Sequence, residues 1–168
     1  SIPDGTWKTF GTGDWTIEAY IYTYNASKRQ YLFSDINSGG NNNTSSVLLY
    51  LDGGVVKCYI QDTTYNLITG STSITAKTWH HVAVVRNGTT VTLYLDGKSQ
   101  GTYSIGSGSV NDSSLAAWIG STAFNTSYDF IGNITDFRVV KGTAVYTSNF
   151  TPPTAPLSTI TNTTLHLP

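Results

Sequence analysis

Trp79 to Gly101 limits the possible folds of this chain more than any other stretch. It reads Trp-His-His-Val-Ala-Val-Val-Arg-Asn-Gly-Thr-Thr-Val-Thr-Leu-Tyr-Leu-Asp-Gly-Lys-Ser-Gln-Gly. Two runs rich in β-branched and apolar residues flank Asn87-Gly88, a dipeptide that tolerates positive φ at both positions and suits a type I′ hairpin turn. Counting outward from that turn sets Val84 against Val91, Val82 against Leu93 and His80 against Leu95. Side chains alternate with period two, so these share one oily face. The other face is mixed, with His81 opposite Tyr94, Ala83 opposite Thr92 and Val85 opposite Thr90. Asp96-Gly97 follows at once and predicts a third strand. A lone hairpin is marginal in water, so the oily face needs a second sheet to cover it. The stretch therefore calls for a sandwich.

The rest of the chain repeats the pattern. Trp15 to Thr23 alternates, with Trp15, Ile17, Ala19 and Ile21 on one side and Thr16, Glu18, Tyr20 and Tyr22 on the other. Gln30–Ile36, Val47–Leu51, Val55–Gln61, Asn66–Thr69, Leu115–Gly120, Phe130–Lys141 and Ile160–Leu167 read as further strands. Asn37 to Ser46 is a loop too polar to bury, and Gly101 to Ser114 and Ser121 to Asp129 are loops as well. Gly142 to Tyr146 is expected to make one helical turn. Residues 1–13 form an irregular lead-in, and residues 150–168 an extended strap ending in the closing strand. Many short strands with no helical period predict an all-β fold of two stacked antiparallel sheets. Its core should contain Trp15, Ile17, Val82, Val84, Leu93, Leu95 and Ile119.

Several of these pieces resemble a known family. Trp79-His80-His81-Val82-Ala83 with Arg86, then Leu93-Tyr94-Leu95-Asp96-Gly97, is similar to the central hairpin of laminin-G-like, concanavalin A-like jelly-roll domains. Gly13-Asp14-Trp15-Thr16-Ile17-Glu18, Ile119-Gly120 and Gly132-Asn133-Ile134-Thr135-Asp136-Phe137-Arg138 agree in order and spacing. The resemblance runs from Gly11 to Pro156 and implies a jelly-roll sandwich. The tail from Gly142 to Pro156 resembles the ending of such domains in bacteriophage virion proteins. It implies a place on the virion surface, an extracellular particle. Related domains open with one more strand than this lead-in supplies. A chain that starts at Ser1 and has no Met reads as a piece of something longer.

Composition removes several function classes. At 168 residues the chain, read as one domain over 1–168, can bury a two-layer core. Only 11% of residues are charged and the formal net charge is −1, which gives no electrostatic case for nucleic acid. No apolar run approaches the ~20 residues of a membrane helix, so no membrane insertion is expected. The single Cys58 excludes an internal disulfide. It shares a face with Val56 and Ile60 and reads as a small buried hydrophobe.

The fold class the resemblance implies includes glycoside hydrolases, which need two carboxylates ~5–9 Å apart. Glu18 is the only glutamate, and Asp4, Asp52 and Asp96 each precede a glycine in turns, so the chain is not expected to be an enzyme. No Gly-x-Ser-x-Gly elbow frames a serine nucleophile. His80 and His81 are neighbours on a strand and point to opposite faces. His80 reads as a core residue, and His81 as a partner in a cross-strand hydrogen bond or on a binding face. Calcium is bound by several laminin-G-like domains and lectins. Here Asp62, Asp112 and Asp129 are the loop carboxylates that a calcium ion would use, although no dense ligand run surrounds them. No other cofactor is implied.

Sugar binding asks for exposed aromatic faces beside planar polar groups. Eleven Tyr and four Trp stand among many Asn and Asp. Trp118 should point outward if Ile119 packs inward, and it precedes a loop holding Asn125, Tyr128 and Asp129. Those four residues, with Asn41, Asn42 and Asn43, are the expected binding surface. The partners expected there are cell-surface glycans or other virion subunits, including further copies of the chain. The sequence thus predicts a non-catalytic, lectin-like adhesion module, with a structural decoration or fibre domain as the alternative.

Overall fold

A computed structural model describes every residue from Ser1 to Pro168. Eleven strands follow in order: β1 Trp15–Thr23, β2 Gln30–Ser34, β3 Val47–Asp52, β4 Val55–Gln61, β5 Tyr65–Ser73, β6 Trp79–Asn87, β7 Thr90–Leu95, β8 Lys98–Ser104, β9 Trp118–Ile119, β10 Gly132–Lys141 and β11 Thr163–Leu167. They form a six-stranded sheet, ordered β11-β10-β1-β6-β7-β8, and a five-stranded sheet, ordered β5-β4-β3-β2-β9. Every pairing is antiparallel. This is the two-sheet jelly-roll sandwich expected.

The alternating residues meet between the sheets. Trp15, Ile17, Ala19 and Ile21 from β1 join Val82, Val84, Val91, Leu93 and Leu95 from the hairpin in one cluster. Leu49, Leu51, Val56, Cys58 and Ile60 come from the facing sheet. Ile119 packs against this core but is only partly buried, because β9 lies at a sheet edge. Burying one such aliphatic side chain contributes roughly 1.5–3 kcal/mol, so this layer is the main source of cohesion.

The central hairpin has the expected faces and a different turn. Asn87 pairs with Thr90, Val84 with Leu93 and Val82 with Leu95, so the two turn residues are Gly88-Thr89. Of these only Gly88 takes positive φ (58°), as a type II′ turn requires. Tertiary contacts explain the shift. Asp14 Oδ1 accepts the Gly88 N–H at 2.7 Å, and Arg86 Nε donates to the Gly88 carbonyl at 3.0 Å. The Arg86 guanidinium also donates to the Gly11 and Gly106 carbonyls, which buries this cation at the core's end. Each partner moved by two residues, so the oily set stayed on its face. The type I′ turn is at Asp96-Gly97, where φ is 49° and 72°.

Other expectations need correction. No helical turn forms over Gly142–Tyr146; that segment is irregular because it lies across a sheet. β5 is longer than Asn66–Thr69 and β9 shorter than Leu115–Gly120. β2 ends at Ser34 rather than Ile36. The loop expected from Gly101 begins only after Ser104, since β8 continues pairing with β7. Ser45 and Ser46 are buried despite their polarity: Asp35 accepts the Ser46 N–H at 2.9 Å and its hydroxyl at 2.5 Å, and the Ser45 carbonyl accepts from Asn111 Nδ2 at 2.9 Å, while the Ser45 hydroxyl has no partner. The lead-in makes a 3-10 turn at Thr6–Lys8 and two bridges, Ile2 to Ala117 and Gly11 to Val110.

Candidate functional site

The outer face of the six-stranded sheet carries a strap, residues 142–157. Beneath it lies Glu18. Its Oε1 accepts from Arg138 Nε at 2.9 Å and Nη2 at 2.6 Å, and its Oε2 meets His81 Nε2 at 3.0 Å and the Tyr146 hydroxyl at 2.7 Å. Burial alone would raise this carboxyl, but the bonds from His81, Tyr146 and Arg138 together hold it below the usual glutamate range. The Tyr146 and Phe150 rings stack at 3.6 Å, and the His81 ring meets both edge-on. Glu18 is thus an enclosed anchor for the strap with no open face toward a substrate. His81 serves this anchor, and Ala83 rather than His81 faces Tyr94. His80 is not a core residue either. It sits at the strand end, with Nδ1 2.7 Å from Asp96 Oδ2 and Nε2 3.1 Å from the Thr75 carbonyl.

Further along, the strap stands clear of the sheet and leaves an open groove of about 320 Å³. Tyr20, Trp79, Thr135 and Asp136 form one side and the strap from Pro153 to Pro156 the other. Trp79 is 48% exposed. It continues into an aromatic strip, with Tyr22 at 5.5 Å from Trp79 and Tyr24 at 5.6 Å from Tyr22. Tyr20 donates its hydroxyl to the Pro153 carbonyl, which pins the groove's far wall. Asp136 owes its position to a β-bulge. Glu18 pairs with Arg138 but Tyr20 with Thr135, so Asp136 and Phe137 together oppose Ala19. Phe137 enters the core, and Asp136, at φ 54°, presents its carboxylate to the groove. Asp is among the few side chains that tolerate this left-handed conformation.

The residues singled out from the sequence lie elsewhere and are brought close to one another. The 37–46 and 121–129 loops touch, since a Cβ on Gly40 would sit 3.2 Å from the Phe124 ring. Trp118 is half-buried on β9, on the opposite side to the core-facing Ile119. Tyr128 is packed in a tyrosine cluster, its ring 6.2 Å from Tyr31 and 5.5 Å from Phe124, with the Arg29 guanidinium 5.8 Å from its centre. The amide oxygens of Asn41 and Asn125 cap short 3-10 turns by accepting the N–H groups of Asn43 and Ser127. Asn42 uses its carbonyl to accept from the Tyr59 hydroxyl at 3.3 Å. Asp129 Oδ1 accepts from the Ser121 hydroxyl at 2.5 Å. Much of this polar chemistry therefore holds the loops together.

The calcium candidates do not assemble. Asp62 and Asp112 line one shallow groove, while Asp129 is bound to Ser121. Asp62 already accepts from Thr64, Asn66 and Tyr103, and Asp112 from Thr9. No three His, Cys, Asp or Glu side chains converge anywhere. A cage of six to eight oxygens does not fit this donor set.

Sequence reading missed the groove. Trp79 and Tyr20 appeared there only as strand residues, and Asp136 only within the Gly132–Arg138 stretch. The one available signal was an Asp inside an otherwise regular strand pattern.

The chain belongs to the laminin-G-type family described as the concanavalin A-like lectin/glucanases superfamily, which matches residues 1–145. No curated protein matches it. Among solved structures it is similar to the CBM40 of a Ruminococcus gnavus IT-sialidase bound to α2,3-sialyllactose (18% identity, TM-score 0.68, covering 87% of this chain and 90% of that one). Domain 4 of AbnA, a GH43 extracellular arabinanase from Geobacillus stearothermophilus, in complex with arabinotriose, is similar at 12% identity and TM-score 0.64, covering 85% and 66%. A candidate carbohydrate binding protein from Bacteroides ovatus is similar at 16% identity and TM-score 0.63, covering 87% of this chain and 41% of that one. The chain thus spans less than half of the Bacteroides protein. At these identities the likeness is one of fold.

Proposed function

We propose that the chain is a non-catalytic glycan-binding module carried on the surface of a bacteriophage virion, and that the Trp79 groove seats the sugar. The observation that carries this reading is a half-exposed Trp79 ring and an Asp136 carboxylate without a protein hydrogen-bond donor, both lining one open groove. An aromatic face takes sugar C–H surfaces, and a fixed carboxylate takes hydroxyls. Neighbours of the same fold bound to sialyllactose and arabinotriose support a sugar ligand. The phage setting is supported by the tail from Gly142 to Pro156. The absence of catalysis is supported by Glu18, whose oxygens all face protein donors.

A single sugar site of this kind is weak, since millimolar affinity is about −4 kcal/mol. Display in many copies raises avidity by roughly 10²-fold or more. Glycan arrays probed with the purified chain should show binding that Trp79→Ala removes, while the unfolding midpoint stays nearly constant. Trp118→Ala should leave that binding intact. The opposite pattern would move the seat to the Trp118, Asn125, Tyr128 and Asp129 edge. The second reading, a structural decoration domain, is favoured by the exposed strip of Trp79, Tyr22 and Tyr24, the last 52% exposed. Loss of particle assembly in Trp79→Ala, with no glycan bound by the unmodified chain, would establish it.

A further inference from the structure

The groove offers acceptors and few donors. No Lys or Arg lines it. Pro153 and Pro156 have no N–H, so this part of the strap presents mainly carbonyls. The Tyr20 hydroxyl proton is engaged with the Pro153 carbonyl. What remains to donate is the hydroxyls of Thr135 and Thr154, the Trp79 indole and the Thr154 and Ala155 N–H groups, none of them charged.

Asp136 is the group that breaks the usual rule. It is 7% exposed, yet no protein donor reaches its carboxylate within hydrogen-bond distance. Of the Lys, Arg and His side chains only His166 comes near, its Nε2 4.0 Å from Asp136 Oδ1 and without a hydrogen-bond partner. Its oxygens keep contact with the open groove, so the donors the protein does not supply come from water or from a bound ligand. The bulge places it there at a backbone cost, since φ of 54° is uncommon for a residue other than glycine. The surroundings are negative as well. Burial pushes the Tyr20 phenol up, and Glu18, Asp136 and Asp96 push it in the same direction, with no opposing cation.

We infer that the groove takes a sugar bearing a free amine, whose ammonium binds Asp136 while the ring lies on Trp79. This deepens the glycan-binding reading and rests on it. An ammonium supplies the missing donors as charge-assisted hydrogen bonds, roughly twice as strong as neutral ones. The face of Trp79 also attracts a cation. N-acetylation removes the charge, and a carboxylated sugar meets a like-charged wall.

The test is calorimetric titration of the whole chain with fully deacetylated glucosamine oligosaccharide, its N-acetylated counterpart and sialyllactose, at two salt concentrations. The free-amine sugar should bind at least tenfold more tightly than the N-acetylated one, and sialyllactose should not bind. Asp136→Asn keeps the shape and suits the left-handed conformation. It should bring the free-amine sugar down to the level of the N-acetylated one. Trp79-dependent binding with equal affinity for both sugars would overturn the amine inference and leave the glycan module standing. So would a preference that survives Asp136→Asn. A lysine-rich peptide that binds as well as the amino sugar would show that the groove reads charge alone, which sinks both. Binding of no sugar at all would also sink both. The wild-type sugar comparison decides the matter even if the variant fails to fold.

Discussion

Glu18 and Asp136 face the same outer side of the six-stranded sheet, under the same strap, and differ in every other respect. Glu18 accepts from three side chains and is sealed by the Tyr146 and Phe150 rings. Asp136 has no protein donor within hydrogen-bond distance, His166 Nε2 standing 4.0 Å away, and lines an open groove. The first is how a protein makes a buried charge structural: it fills each acceptor site and closes the water out. The second is how it keeps a charge available, holding the carboxylate rigid on a bulge and leaving its partner to come from outside. Burial alone does not distinguish scaffold from site. Hydrogen-bond satisfaction does.

Breaking the satisfied carboxylate should have the largest effect. Glu18→Gln leaves Arg138 buried without its counter-charge and should cost about 3–5 kcal/mol in urea unfolding. A loss below about 1 kcal/mol would mean that the strap is not anchored there. Gly97→Ala attacks the same strap from the turn. A Cβ would sit 1.9 Å from the Phe150 carbonyl oxygen, at φ of 72°. The expected loss is about 1–3 kcal/mol, with faster proteolysis after Tyr146.

Acid sharpens the contrast further. The Glu18 carboxyl is held below its unfolded value of about 4.3, so its stabilisation is present above that pH and disappears as pH falls through the lower folded value. The gap between wild type and Glu18→Gln should therefore narrow in acid. Asp35 works in the opposite sense. Burial raises its carboxyl despite the bonds from Ser46, so it favours the fold at low pH and loses that contribution as pH rises through its raised value. Chemical unfolding at a series of pH values for wild type, Glu18→Gln and Asp35→Asn would separate the two. The smallest stability effect belongs to the unsatisfied carboxylate. Asp136→Asn should shift the unfolding free energy by no more than about 0.5 kcal/mol, while abolishing the amine preference. A larger loss would show that Asp136 is structural too.

Much of the sandwich was legible. Alternation over Trp15 to Ile21 and across the hairpin assigned the core face correctly, and that assignment survived an error in the turn. The reason is geometric: a shift of partner by two residues preserves which side each chain face points to. The turn itself was not legible, because Asn87-Gly88 satisfies the local rule. Asp14, distant in sequence, and Arg86, held in place by the distant Gly11 carbonyl, chose Gly88-Thr89 by binding both polar groups of Gly88.

The loops around Trp118 illustrate the limit for sites. Sequence placed Trp118 on the outer side and grouped it with Asn125, Tyr128 and Asp129. It could not show that Asn41 and Asn125 would act as caps, or that Tyr128 would join Tyr31 and Phe124. The groove depended on pairing β1 with both β6 and β10, which set Tyr20 between Trp79's strand and Asp136's. Side-chain period and turn propensity are local properties, and they determined the strands, their faces and the sandwich. Which polar groups find donors depends on neighbours that only the folded chain brings together, so the tertiary structure decided that Glu18 is an anchor and Asp136 is open.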